Sequence, residues 1–126
     1  MALSYQPRIK SIVMCDFAGF NPPEMVKVRP VVVLTKHRHN AHLVTVIPLS
    51  TTPPIQLANH HHELSVNPLP GKKALRCWAK CDMIYTLSTA RMDRFKTLKR
   101  NYISLEICEA DFIAIKTAVL AALKLS

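Results

Sequence analysis

The rhythm of apolar and polar residues along this chain changes once, near residue 104. Before that point the pattern is one of short β-type runs. Residues 9–17 hold Ile12, Val13, Met14 and Phe17 among polar neighbours, then stop at 18–23, where Gly19, Asn21 and two prolines end any strand. Residues 28–35 carry a continuous Val31-Val32-Val33-Leu34 centre, which suits a strand buried on both faces. A polar turn at 36–40 leads into 43–49, a third strand with a β-branched centre, closed by Pro48 and the cluster at 51–54. Residues 61–66 read as a shorter edge strand and 67–73 as a turn around Pro68, Pro70 and Gly71. Residues 74–87 make one bent strand or two, and 98–100 a last short one. The connections leave no room for crossover helices, so the pairing is expected to be antiparallel.

From Ser104 onward the period is helical. Leu105, Cys108, Phe112, Ile115, Val119 and Ala122 recur at spacings of three and four and form one apolar stripe. Ser104 is the expected N-cap, Glu106 lies in the first turn, and Lys124 complements the dipole at the far end. The predicted fold is mainly β with a C-terminal helix: a small curved antiparallel sheet or barrel of five to seven strands. One domain is expected from 126 residues, because two cores would leave about 60 residues each.

Composition narrows the partner. Seventeen Lys and Arg against eight Asp and Glu give +9, while 49% hydrophobic content supplies a core, so the charge is not a sign of disorder. The two glycines, Gly19 and Gly71, lie too far apart for any glycine-rich phosphate cradle, which excludes nucleotide sites of that kind. An anionic partner of another sort is implied. The longest apolar runs fall far short of the roughly 20 residues a membrane span needs, so no membrane role is expected. Cys15, Cys77, Cys81 and Cys108 read as reduced thiols of a cytoplasmic protein.

The most informative stretch runs from Glu24 through Arg29-Pro30 into the valine strand. Pro30 is tolerated if it falls at the strand's first position. A guanidinium at the mouth of a rigid strand can hold a phosphate through two parallel hydrogen bonds, or it can simply pair with Glu24 at the surface. The next strand ends Val46-Ile47-Pro48-Leu49-Ser50-Thr51, and further on stands Lys80-Cys81-Asp82-Met83-Ile84-Tyr85-Thr86-Leu87. In this order and spacing the chain resembles the PemK/MazF family of toxin endoribonucleases, most closely its Kid/PemK branch, over nearly its whole length.

That resemblance implies an SH3-like barrel, a homodimer, an acidic antitoxin partner, and metal-independent, cofactor-free cleavage of single-stranded RNA by 2′-hydroxyl attack. Residue by residue, it implies Asp82 as general base, Arg29 as the cation on the transition state, and Ser50 and Thr51 as hydroxyls orienting the phosphate. Lys80 stands where the Kid branch has an arginine proposed as acid; it keeps a proton to give and loses the bidentate fork. Pro23 replaces a histidine, and Ile84-Tyr85 replace a segment carrying a second arginine. Those departures keep two other readings open: a barrel that holds nucleic acid without cutting it, and a gyrase poison on the same fold.

Other features compete with blander readings. His37, His39 and His42, and the run His60–His62, invite a metal, but their spacing favours solvated loops and no metal site is expected. His61 is a candidate RNA contact after the Ser/Thr site. Alternation places Trp78, Lys80 and Asp82 on one face, with Trp78 either stacking a base or filling the core. Glu24 and Arg76 are further RNA-contact candidates. Arg76 belongs to a run with Lys72, Lys73, Arg91, Arg94, Lys96, Lys99 and Arg100 that would form a cationic groove.

Overall fold

The computed structural model describes residues 3, 5–56, 58, 61–65, 67–69, 75–96 and 102–124. Ten strands and one α-helix form among them, more than the five to seven strands expected. In chain order the strands are β1 (Ser11–Asp16), β2 (Val28–Lys36), β3 (Leu43–Ser50), β4 (His61–Glu63) and β5 (Trp78–Lys80). They continue as β6 (Tyr85–Ser88), β7 (Met92–Asp93), β8 (Phe95–Lys96), β9 (Tyr102–Ile103) and β10 (Leu105–Glu106), before helix α1 (Glu109–Leu123). The expected strand at 98–100, His60, and the basic residues Lys72, Lys73, Lys99 and Arg100 lie outside the described residues.

Every pairing among the described strands is antiparallel, and the main sheet runs β10-β1-β2-β3-β5-β4 in a curled half-barrel. The surplus of strands comes from two central strands that each change partner along one edge, and from a separate two-stranded pair of β8 with β9. β3 pairs through Leu43–Val46 with β6 and through Leu49 and Ser50 with β5. β1 pairs through Ser11 and Ile12 with β10 and through Met14 and Cys15 with β7. Where one bent strand or two were expected, the described residues make two, β5 and β6, separated by a turn in which the Met83 N–H donates to the Lys80 carbonyl at 3.0 Å.

β2 sits between β1 and β3, and Val31, Val32 and Val33 are fully buried. The two-residue period sends Val31 and Val33 to one side, with Cys15, Phe17, Val44, Val46 and Met92. Val32 goes to the other side, with Ile12, Ile47 and Leu49. There α1 closes the sheet through Phe112, Ile115, Ala118 and Val119.

The helix does not begin at Ser104. Leu105 and Glu106 are held in β10 opposite Ile12 and Ser11, and the Ile107 N–H donates to the Lys10 carbonyl at 3.1 Å. Leu105 still packs on the helix-side core, which explains why it continued the helical spacing. The N-cap is Cys108, without a side-chain cap bond. Lys124 ends the helix in a left-handed conformation, its N–H donating to the Leu120 and Ala121 carbonyls.

The helix start is tied to the sheet by a buried carboxylate that sequence reasoning passed over. Asp111 lies in the first turn of the helix, 7% exposed. It accepts from the Ser65 hydroxyl at 2.9 Å and the Ser65 N–H at 3.2 Å, and meets His62 Nε2 of β4 at 3.0 Å. Burial works to raise its pKa, but these hydrogen bonds outweigh it and hold the carboxyl below its ordinary 3.8. All four cysteines are free, three of them buried; burial pushes the Cys15 and Cys81 thiols up to about 12. No helix among the described residues is long and apolar enough to cross a membrane.

Two outcomes follow. Asp111→Ala should lower unfolding free energy in urea by about 2 kcal/mol, since it removes the acceptor of several part-buried hydrogen bonds from Ser65 and His62 and leaves a gap beneath the helix. Because the folded carboxyl titrates below the unfolded one, its contribution is complete above the ordinary carboxylate range. The gap between wild type and Asp111→Asn should close as pH falls through that range and below. With a thiol reagent at pH 8, native protein should react rapidly at Cys108 alone, the other three cysteines reacting only on unfolding.

Candidate functional site

Two prolines decide where the sheet opens. The Val33 and Lys27 carbonyls accept from Lys10 and Phe17, so odd-numbered residues of β2 turn their backbone groups toward β1 and even-numbered ones toward β3. Pro30 therefore faces β3, just beyond Val31↔Pro48, where the β2–β3 register ends. It is the third residue of β2, not the first as expected, and it is tolerated because its missing N–H falls where the ladder has run out. Pro48 occupies the matching gap on the far edge of β3, between the stretch paired with β6 and the stretch paired with β5.

A cavity of about 240 Å³ lies at this opening. Arg29 and Pro30 from β2 and Leu49 and Ser50 from β3 line it, with Lys80 from the end of β5. Thr51 and Thr52 follow Ser50 into the wall, and Met25 and Leu69 supply apolar sides. The Thr52 N–H donates to Ser50 Oγ at 3.1 Å, a local turn that fixes this hydroxyl against the backbone and leaves its O–H free to donate elsewhere. Two cations and three hydroxyls on an apolar floor suit an oxygen-rich anion, which they can meet with charge-assisted hydrogen bonds.

The loop carrying Met25 is held by long-range contacts. The Met25 N–H donates to the Tyr85 hydroxyl at 3.3 Å, and Tyr85 stacks on Phe20 with centroids 5.8 Å apart and packs against Phe17 at 5.0 Å. Arg91 donates to the Asp16 and Ala18 carbonyls at 3.1 and 2.9 Å and lies 4.9 Å over the Phe20 ring. Tyr85, a departure from the resembled motif, thus has a structural task, and Arg91 is committed to the loop rather than to a cationic groove.

Of the residues singled out from sequence, Arg29, Ser50, Thr51 and Lys80 meet in the cavity, and the others do not. Asp82 does not share a face with Lys80: the strand ends at Lys80, and Asp82 is exposed in the following turn. Trp78 is buried, opposite Glu63 and Ser50 in register, with its indole N–H unpartnered. It fills core space instead of offering a face to a base. Arg76 covers its ring at 4.9 Å and makes a two-pronged pair with Glu63, both contacts at 2.6 Å. Glu24 is exposed outside the cavity; its carboxylate accepts from the Asn21 N–H at 3.0 Å and makes no ion pair with Arg29. His61 stands opposite Lys80 in register, its Nδ1 accepting from the Ala58 N–H at 3.0 Å. Among the described residues no three metal-ligating side chains converge.

Comparison with known proteins bears on this arrangement. The family model of the PemK-like, MazF-like toxins of type II toxin-antitoxin systems matches residues 9–120. The chain is 30% identical over 120 residues to the protein YifN of Escherichia coli (strain K12), an alignment covering 79% of this chain and 80% of that one. An endoribonuclease solved in complex with its cognate antitoxin, from a mycobacterial species, matches with a TM-score of 0.65 at 22% identity. That match covers 95% of this chain and 97% of the other. Mycobacterium tuberculosis toxin MazF-mt6 matches with a TM-score of 0.61 at 20% identity, over 90% and 97% of the two chains. At those identities the solved structures establish a shared fold.

The loop contacts make a local prediction. Arg91→Ala removes two charge-assisted hydrogen bonds and a ring contact, and should cost about 2 kcal/mol of stability. Hydrogen exchange should quicken for amides at 17–25 while those of 31–33 keep their protection.

Proposed function

The chain belongs to the PemK-like, MazF-like toxins of type II toxin-antitoxin systems, and we propose that it is an endoribonuclease that cuts single-stranded RNA without a metal ion. The observation that carries this reading is the convergence of Arg29, Lys80, Ser50 and Thr51 on one cavity. In the proposed step the 2′-oxygen of the RNA attacks the adjacent phosphorus while the bond to the 5′-oxygen breaks. The products are a 2′,3′-cyclic phosphate and a free 5′-hydroxyl. Arg29 spans two non-bridging oxygens and stabilises the charge that builds on them. Ser50 and Thr51 donate to the same oxygens and set their orientation. Lys80 gives a proton to the departing 5′-oxygen.

Asp82 changes role in this scheme. None of the nine residues lining the cavity is a carboxylate or an imidazole, so in this scheme the 2′-hydroxyl proton leaves to solvent, and Asp82 stays in the exposed turn that follows Lys80. The net charge of +9 also fits an acidic antitoxin segment competing with RNA for the same surface. A homodimer working in the cytoplasm, where messenger RNA is exposed, completes the reading.

The same lack of a lining base favours one alternative, a barrel that binds RNA without cutting it. A defined RNA incubated with the protein in EDTA separates the two: cleavage should yield cyclic-phosphate ends at a recurring short motif. Arg29→Ala and Lys80→Ala should each lose about 10²–10³ in rate, and Asp82→Asn less than about tenfold. Tight retention of uncut RNA would establish the alternative, and loss of activity in Asp82→Asn matching that in Lys80→Ala would restore Asp82 as base.

A further inference from the structure

β4 lies along β5 at the edge of the sheet, and His61 stands opposite Lys80 in their register. The Leu64 N–H donates to the Cys77 carbonyl at 2.8 Å in that same register. Leu64 with Cys77 and His62 with Ala79 are therefore the hydrogen-bonded pairs of this ladder. His61 with Lys80 is a non-hydrogen-bonded pair, the kind that brings side chains closest, with Cβ atoms about 5 Å apart on one face. The His61 N–H agrees, turning away from β5 to donate to the Ala58 carbonyl at 3.0 Å. Ser50 shares the face of Lys80, because it pairs with Trp78, two residues earlier on β5. His61 thus flanks Lys80 on the side away from Ser50.

The His61 ring is fixed and neutral. The Ala58 N–H donates to its Nδ1 at 3.0 Å, so ring and backbone are both tied to Ala58. An amide can only donate, which leaves Nδ1 unprotonated and the ring proton on Nε2. His62 turns to the opposite face and meets Asp111 at 3.0 Å, so β4 itself is anchored to the helix. Glu63 shares the face of His61, but both arms of Arg76 meet its charge at 2.6 Å. Lys80 therefore stands beside a neutral ring, with the nearest carboxylate of β4 already engaged.

A lysine is a loose tool for proton delivery, since a flexible four-carbon stem carries a compact ammonium in many directions. We propose that His61 is a positioning residue for Lys80, its ring closing the β4 side so that the ammonium stays over the cavity. The assignment rests on the endonuclease reading, in which Lys80 protonates the departing 5′-oxygen. The ring fills the space that the stem would sweep on its outer side, and the rotamers that remain lead toward Ser50. It does so without a charge, whereas a cation in its place would weaken the hold of Lys80 on the proton it must carry.

Two measurements on the full chain test this, one of them independent of cleavage. With isotope-labelled lysine, carbon relaxation at Lys80 Cε should show an ordered side chain, in contrast to exposed Lys36. His61→Asn keeps a side-chain acceptor for the Ala58 N–H but is too short to flank Lys80, and should give Lys80 the mobility of Lys36. In single-turnover cleavage His61→Asn should lower the maximal rate about tenfold and change the half-saturating RNA concentration by less than about twofold. Because the effect runs through Lys80, adding His61→Asn to Lys80→Ala should slow that variant no further. A Lys80 equally mobile with and without the imidazole would overturn the proposal, as would rate losses that multiply in the double variant. If wild type cuts no RNA yet Lys80 loses its order in His61→Asn, the endonuclease reading fails and the positioning stands. Cleavage by a protein whose Lys80 is unordered throughout defeats the positioning alone.

Discussion

The fold and the site both depend on a missing hydrogen bond. Pro30 and Pro48 cannot donate to a ladder, and each stands where one ladder stops: Pro30 at the end of the β2–β3 register, Pro48 where β3 exchanges β6 for β5. A sheet that continued through these positions would pair Arg29, Ser50 and Lys80 into flat strand edges. With the ladders interrupted, the strand ends part and their side chains surround a cavity. The same interruption lets the sheet curl, because β3 can serve two partners that diverge.

The surroundings hold that opening in place. The valine centre of β2 is buried on both sides, so the strand bearing Arg29 and Pro30 is anchored in both halves of the core. Tyr85, Phe17, Phe20 and Arg91 lock the loop on one side of the cavity. On the other side β4 pairs with β5, and Asp111 fastens β4 to the helix through His62. A cation positioned by such a frame needs little reorganisation to meet a developing negative charge.

Much of this was legible in the sequence because it is local. Short apolar and β-branched runs bounded by turn residues marked β1, β2 and β3, and the continuous valine centre of β2 announced burial on both faces. The order of the Arg-Pro, Ser-Thr and Lys-Cys-Asp segments brought out four residues that share the cavity. What escaped notice is long-range. Arg76 looked like a phosphate ligand, but Glu63, thirteen residues earlier, takes both arms of its guanidinium. Arg91 looked like one more basic residue, but it serves carbonyls over seventy positions away. Asp111 gave no signal at all, since its partners lie on another element. Leu105 misled for a different reason: a strand residue and a helix residue can bury on the same core, so its spacing extended the helical stripe backward into β10.

The central claim is that RNA phosphate is held where β2, β3 and β5 part. Amide chemical-shift mapping tests it without any need for cleavage. On titration with a 2′-fluoro RNA strand, the largest shifts should gather at Arg29, at 49–52 and at Lys80, and should fade in Arg29→Ala at the same RNA concentration. Saturable binding that leaves those amides unmoved while shifting others would contradict the account, as would shifts that persist undiminished once Arg29 is gone.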